Sequence, residues 1–146
     1  MLALDTNVLA RYYVHEGGSA ATAAQENAAR VVIERGSQLY VAKTVLLELE
    51  WILRGAYGHA PADVCRVLDH LLTLPHVEIE DRAAVETALG NLRRGLDFAD
   101  ALHHASSRVC SGFLTFDNKG FVGKARRLAI TPPVRLAGWN AGFASA

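Results

Sequence analysis

The chain has 146 residues, of which 51% are hydrophobic, enough for one domain with a proper core and too apolar for a disordered chain. Fifteen acids balance fifteen lysines and arginines, so the formal net charge is zero, which excludes an extended basic coat for nucleic acid but not a local basic patch. No run approaches the ~18 apolar residues of a membrane span. The first residues lack the basic flank and apolar core of a signal peptide, so the expectation is a cytoplasmic protein without a membrane partner.

Met1 to Leu4 is a short apolar run that stops at Asp5, and Val8, Leu9 and Tyr12 follow at helical spacing. The pattern predicts strand, turn and helix, with the strand central and covered on both faces. Asp5 then lies at the carboxyl end of a strand, where open α/β sheets place their ligands; capping the first helix is its alternative role. His15 to Ser19 reads as a loop, and Ala20 to Arg35 as a helix ended by Gly36. Leu39 to Ala42 is a second strand, and Thr44 starts a helix that runs to about Arg54, with Gly55 as its stop. In that helix Glu50 stands four residues before Arg54 and reads as solvated surface. Glu48 falls on the apolar arc with Val45, Leu49, Trp51 and Ile52, where carboxylates are seldom buried without a partner. A metal or cationic partner is therefore expected beside Glu48.

Pro61 opens a helix to about Leu74, Val77 to Ile79 is a brief strand, and Asp81 is expected to cap a helix from Ala83 to Arg94. Asp97 is placed to cap the next helix, with Asp100 three residues on. On its wheel Phe98, Ala101, Leu102, Ala105 and Val109 form the core arc, and Asp100, His104 and Ser107 fall opposite, with the end near Cys110 to Gly112. Phe113 to Thr115 is a strand that stops at Phe116-Asp117-Asn118, so Asp117 repeats the placement of Asp5. Lys119, Lys124, Arg126 and Arg127 lie in the helix that follows. Val134 to Leu136 closes the sheet after Pro132 and Pro133, and the tail from Ala141 is expected to fray. Cys65 and Cys110 fall in expected helices without metal-ligand spacing and read as buried free thiols. With no repeat or linker, a single domain over residues 1–140 and a tail over 141–146 are expected.

Four acids stand out: Asp5, Glu48, Asp100 and Asp117. Parallel strands with crossover helices set strand ends and helix starts along one edge, where four carboxylates repel unless protonated or neutralised. Such oxygen-rich sites suit Mg²⁺ or Mn²⁺, ions that can activate water in phosphodiester cleavage. Leu4-Asp5-Thr6-Asn7-Val8-Leu9, Leu47-Glu48-Leu49-Glu50-Trp51, Asp97-Phe98-Ala99-Asp100-Ala101-Leu102 and Leu114-Thr115-Phe116-Asp117 together resemble the motifs of the PIN-domain nucleases, and most of all the VapC-type toxins of bacterial toxin–antitoxin pairs. The likeness spans residue 2 to about 136, in the family's order. It implies a three-layer α/β/α sandwich around a mainly parallel sheet. It also implies Mg²⁺- or Mn²⁺-dependent endoribonuclease activity, with transfer RNA a frequent target, and inhibition by a VapB-type antitoxin. Asp5, Glu48 and Asp100 match the family's acidic ligands, and Asp117 a fourth acid more variable in position. Thr6, Asn7 and Thr115 match residues that orient the site; Asp97 recurs in the motif, although capping alone explains it.

Other site chemistries fit less well. A dehalogenase-type phosphatase wants an acid where Asn7 stands, and a zinc hydrolase built on Asp100 and His104 finds no further histidine at a matching spacing. His104 is open to a role lining the substrate path. A different class of function is a corepressor that works mainly as the partner of a DNA-binding antitoxin; the presence of all four acids favours the enzyme. Apolar residues on the helices of 20–35 and 44–74 suggest a homodimer and an antitoxin surface. Arg11, Lys119, Lys124, Arg126 and Arg127 are candidates for a basic rim that contacts RNA phosphates outside the acids.

Overall fold

The computed structural model describes residues 1–138, so the tail expected to fray lies outside the described residues. The chain divides into two compact units, Met1–Arg82 and Ala83–Ala146.

The first unit runs β1 (Leu2–Ala3), α1 (Thr6–Tyr13), α2 (Ala20–Arg35), β2 (Leu39–Val41), α3 (Lys43–Gly55), α4 (Pro61–Thr73), β3 (Val77–Ile79). Its strands form a parallel sheet in the order β1-β2-β3, with Leu2 opposite Leu39 and Leu39 opposite Val77. Parallel neighbours need crossover connections, and the helices supply them. Ser19 caps α2 by accepting from the Thr22 amide at 3.2 Å, and Pro61 opens α4 where its missing N–H is no loss. The loop ends of β2 and β3 are tied together. The Lys43 amide donates to Glu80 at 2.8 Å, and its ammonium pairs with Asp81 at 3.2 Å. Asp81 does this from a left-handed backbone (φ 47°), not from the extended conformation usual at a helix cap.

Two readings of this unit are corrected. The expected central strand is β2, whose Leu39 and Val41 are fully buried; β1 takes an outer place and both its residues are exposed. The faces of α3 are also the reverse of those expected. Leu46, Leu49 and Leu53 form the buried stripe, at the i, i+3, i+7 spacing of one helix face. Glu50 lies within that stripe, 3% exposed, while Glu48 is exposed and Trp51 points outward at 63%. Glu50 tolerates burial because the Arg54 guanidinium reaches over it at 2.9 Å with half of its own side chain in solvent.

The second unit runs α5 (Arg82–Arg93), α6 (Phe98–Ser106), β4 (Phe113–Thr115), a π-helical turn (Asn118–Val122), α7 (Gly123–Leu128) and β5 (Val134–Leu136). β4 and β5 are parallel, with Phe113 opposite Val134 and Thr115 opposite Leu136. The described chain is thus of the α/β class expected, with parallel strand pairs throughout. Gly95, at φ 98°, makes the left-handed turn that hands α5 over to α6. The core of this unit is built on Phe98, Leu89, Ala101 and Phe121.

Helix α6 stops at Ser106, a turn earlier than expected, so Val109 is 91% exposed rather than core and Cys110 is an exposed thiol rather than a buried one; Cys65 is buried as expected. His104 is not on the solvent face but 1% exposed. Its Nε2–H donates to the Pro132 carbonyl at 2.7 Å, and the ring packs beside Phe113 and Phe121. The ring thus belongs to the core of this unit and not to the surface expected for it.

The corrected face of α3 has a direct check. Leu49→Ala should cost about 2–5 kcal/mol in urea unfolding, and Trp51→Ala within about 0.5 kcal/mol. The opposite ranking would restore the arc that contained Trp51.

Candidate active site

In the first unit the chain leaves β1 at Leu4 and enters α1 at Thr6, so Asp5 occupies the junction. Its carboxylate caps α1, accepting from the Thr6 amide at 2.9 Å, while the residue stays exposed. Capping and display are thus compatible in one side chain. Thr6 is 2% exposed, and its hydroxyl donates to the Glu48 carboxylate at 3.2 Å across 42 residues of sequence. That bond sets Glu48 of α3 beside the loop that carries Asp5. Asn7 is exposed and lines a cavity of about 480 Å³ with Val8, Arg11 and residues of α2. Arg11 is already engaged, pairing with Glu16 at 2.7 Å and donating to Gln25 at 3.0 Å.

In the second unit Asp97 and Asp117 both act on Asp100. Asp97 caps α6 by accepting from the Asp100 amide at 3.2 Å. Asp117 caps the π-helical turn, accepting from the Gly120 amide at 2.7 Å, while its own amide donates to the Thr115 hydroxyl at 3.1 Å. A Cβ at Gly120 would run into the Asp117 carboxylate, so only glycine leaves that side chain its place. Asp100 feels the result: burial first, then the charges of Asp97 and Asp117, push its carboxyl above the usual carboxylate range, with His103 and Lys124 pulling the other way. The histidine that faces Asp100 is therefore His103, three residues on, and not His104.

The basic candidates separate. Lys124 donates to the Gly95 carbonyl at 3.2 Å. Lys119, Arg126 and Arg127 are exposed and make no hydrogen bond or ion pair among the described residues. Sequence reasoning missed Phe116, an aromatic ring 86% exposed immediately before Asp117. Only the mismatch between its apolar type and its place in a polar turn marked it.

Glu16, Glu50, Asp63 and Asp81 each pair with a lysine or arginine. Asp5, Glu48, Asp97, Asp100 and Asp117 make no ion pair among the described residues. These donors are all oxygen, and in the second unit Asp100 is crowded by Asp97 and Asp117, which fits a hard divalent cation and not zinc. Among the described residues no three His, Cys, Asp or Glu side chains stand together as a ready-made cage. Mg²⁺ does not need one, since it is held by one or two carboxylates with water and substrate phosphates.

A family model described as the PIN domain matches residues 2–126, which takes in all four acids singled out from the sequence. A comparison with curated proteins finds no match.

The raised pKa of Asp100 carries a stability prediction. The folded state holds this proton more tightly than the unfolded chain, so stability falls as pH rises from the ordinary aspartate pKa, 3.8, through the folded value, and the cost persists above it. Without added metal, Asp100→Asn should therefore raise the Tm at pH 7 and leave it nearly unchanged at pH 3. An equal shift at both values would show that the gain is not electrostatic.

Proposed function

The chain belongs to the PIN-domain family, and on that premise we propose that it is a Mg²⁺- or Mn²⁺-dependent endoribonuclease, the VapC-type toxin of a toxin–antitoxin pair that cuts cytoplasmic RNA. PIN domains are typically metal-dependent nucleases. The observation that carries the reading is the crowding of Asp100, whose charge is disfavoured first by burial and then by Asp97 and Asp117. Asp5 and Glu48 in the first unit, and Asp100 and Asp117 in the second, are the carboxylates proposed as metal ligands. When bound, the ion supplies activation of water and charge stabilisation at the departing 3′-oxygen of the phosphodiester.

The chain's own part is positioning. Asp5 and Asp117 are fixed by the backbone amides they cap, and Glu48 by the Thr6 hydroxyl, so their oxygens are aimed before substrate arrives. Thr115 fixes the backbone of Asp117, and Asp97 fixes the start of the helix that carries Asp100. Lys119, Arg126 and Arg127 are free to meet phosphates; Arg11 and Lys124, with partners of their own, contribute less. No described helix is long and apolar enough to cross a membrane. Val31, Val32 and Trp51 are exposed on α2 and α3, apolar surface suited to a second copy or to the VapB-type antitoxin.

Asp5→Asn keeps an acceptor for the Thr6 amide but removes a charge. It should abolish metal-dependent cleavage of RNA by purified, antitoxin-free protein while the fold survives. Glu50→Gln should keep full activity and lose only stability, about 1 kcal/mol for its half-exposed partner. Hydrolysis by water leaves a 5′-phosphate on the product. Ends bearing 2′,3′-cyclic phosphate would instead mean attack by the ribose hydroxyl and would overturn the mechanism.

A further inference from the structure

The buried ring of His104 touches three separate parts of the second unit. Its Nε2–H donates to the Pro132 carbonyl, just before β5, at 2.7 Å. Its centroid stands 5.8 Å from that of Phe113, which opens β4, and 6.2 Å from that of Phe121 in the π-helical turn; the two phenylalanines stand 5.6 Å apart. The three rings form a closed triangle. Asp117 lies midway in sequence between Phe113 and Phe121, four residues from each, so the triangle holds both ends of the segment that carries it. The third ring belongs to α6, one helical turn beyond Asp100. Asp117 is close enough to disfavour the charge of Asp100, and this ring joins the elements that carry the two acids. An apolar residue could fill the same space, but it could not make the bond. The Pro132 carbonyl only accepts, so Nε2 must carry a proton, while Nδ1 is buried without a partner among the described residues. A ring with one nitrogen unmatched is a costly filler, which leaves the single hydrogen bond as what the histidine adds. The next carbonyl, that of Pro133, takes the Phe113 amide at 3.0 Å. The Pro132-Pro133 step is thus tied to α6 by one bond and to β4 by the next.

We propose that His104 is a positioning residue for the acidic site: by joining α6 to the Pro132-Pro133 step and to the two phenylalanines around Asp117, it sets the separation of the Asp100 and Asp117 carboxylates. The proposal rests on the metal-dependent nuclease reading and concerns how the chain presents two of the proposed ligands. Mg²⁺ demands near-ideal geometry, with oxygens at about 2.0–2.1 Å, so a small error in the spacing of two carboxylates matters more to the ion than to the fold. A hydrogen bond between buried groups holds one narrow range of lengths, whereas apolar cores repack with little loss of stability. Removing a group that orients a metal ligand typically lowers affinity about 10- to 100-fold. His104 acts in this way through its neighbours, since the histidine facing Asp100 is His103.

The probe is Mn²⁺ alone, titrated into the whole chain by calorimetry, with circular dichroism as the check on folding. His104→Phe keeps a ring but strands the Pro132 carbonyl, and should weaken Mn²⁺ binding by about 10- to 100-fold. His104→Gln places an amide N–H where Nε2 stands and should restore most of the affinity. His104→Asn, one methylene shorter, should not. Val85→Ala opens a cavity in the core of the same unit and serves as the control; it should lower the Tm and leave Mn²⁺ affinity unchanged. In a long-range nitrogen–proton NMR spectrum of the parent, His104 should carry its proton on Nε2; a proton on Nδ1 alone would remove the bond on which the proposal stands. Parent-like Mn²⁺ binding by His104→Phe overturns the positioning role and leaves the nuclease reading intact. An equal loss in Val85→Ala also overturns it, because affinity then follows stability alone. Should His104→Phe not fold, the glutamine and asparagine variants decide, and equal affinity in those two overturns the proposal. If the parent itself binds no Mn²⁺, the metal-dependent reading falls, and the positioning role with it.

Discussion

The second unit holds one carboxyl at a cost: burial first, and then two neighbouring charges, disfavour the ionised form of Asp100. Asp97 and Asp117 both raise the energy of an ionised Asp100, and neither can swing away without giving up a cap. Losing a cap costs typically about 1 kcal/mol, and an exposed backbone amide must then find water. The first turn of α6 and the entry to the π-helical turn are thus each capped by a carboxylate that crowds Asp100. A chain under selection for stability alone has an easy remedy, asparagine, which caps as well and carries no charge. On the proposed reading, charge retained where a neutral isostere would serve the fold is charge kept for a metal ion.

The first unit reaches a related end by the same local grammar. A two-residue strand, an acid at its end and a helix beginning at once place Asp5 as both cap and exposed oxygen donor, as the end of β4 places Asp117. In each case the backbone amide that orients the carboxylate belongs to the structure that follows the strand. Thr6 adds the longer reach, bringing Glu48 of α3 under the control of the β1 loop. Positioning of this kind needs no cation of the protein's own beside the acids, and none pairs with them among the described residues.

Punctuation and short-range pattern were what the sequence made legible. Gly36, Pro61 and the Asp97 cap set helix ends that agree with the structure, and β3, β4 and β5 fall at their expected residues. Faces were harder. From Val45 to Leu53 only Glu48 and Glu50 are polar, and they stand two residues apart on nearly opposite sides, so the wheel demanded that one face in without saying which. The leucines at 46, 49 and 53 decided it, together with an arginine one turn beyond Glu50. His104 failed for a different reason. Its partner, the Pro132 carbonyl, lies 28 residues away, and no local periodicity encodes a hydrogen bond of that span. β1 was misjudged because a run of apolar residues carries no information about which strand takes the middle of a sheet.

The chain's zero net charge bears on how it meets a polyanion. Long-range attraction is weak, so encounter rests on the few cations not already engaged. Several are engaged in structure: Arg94 donates to the Leu128 carbonyl, Lys124 to that of Gly95, and Arg82 to that of Leu72. Such bonds satisfy carbonyls at helix ends, where cations also answer the helix dipole. Of the cations left exposed without a partner among the described residues, Lys119, Arg126 and Arg127 stand within ten residues of Asp117, while Arg35 and Arg135 lie at other points of the chain. Coulombic contacts fade with salt, so on the proposed ribonuclease reading the grip of this neutral protein on a polyanion should weaken steeply as salt rises.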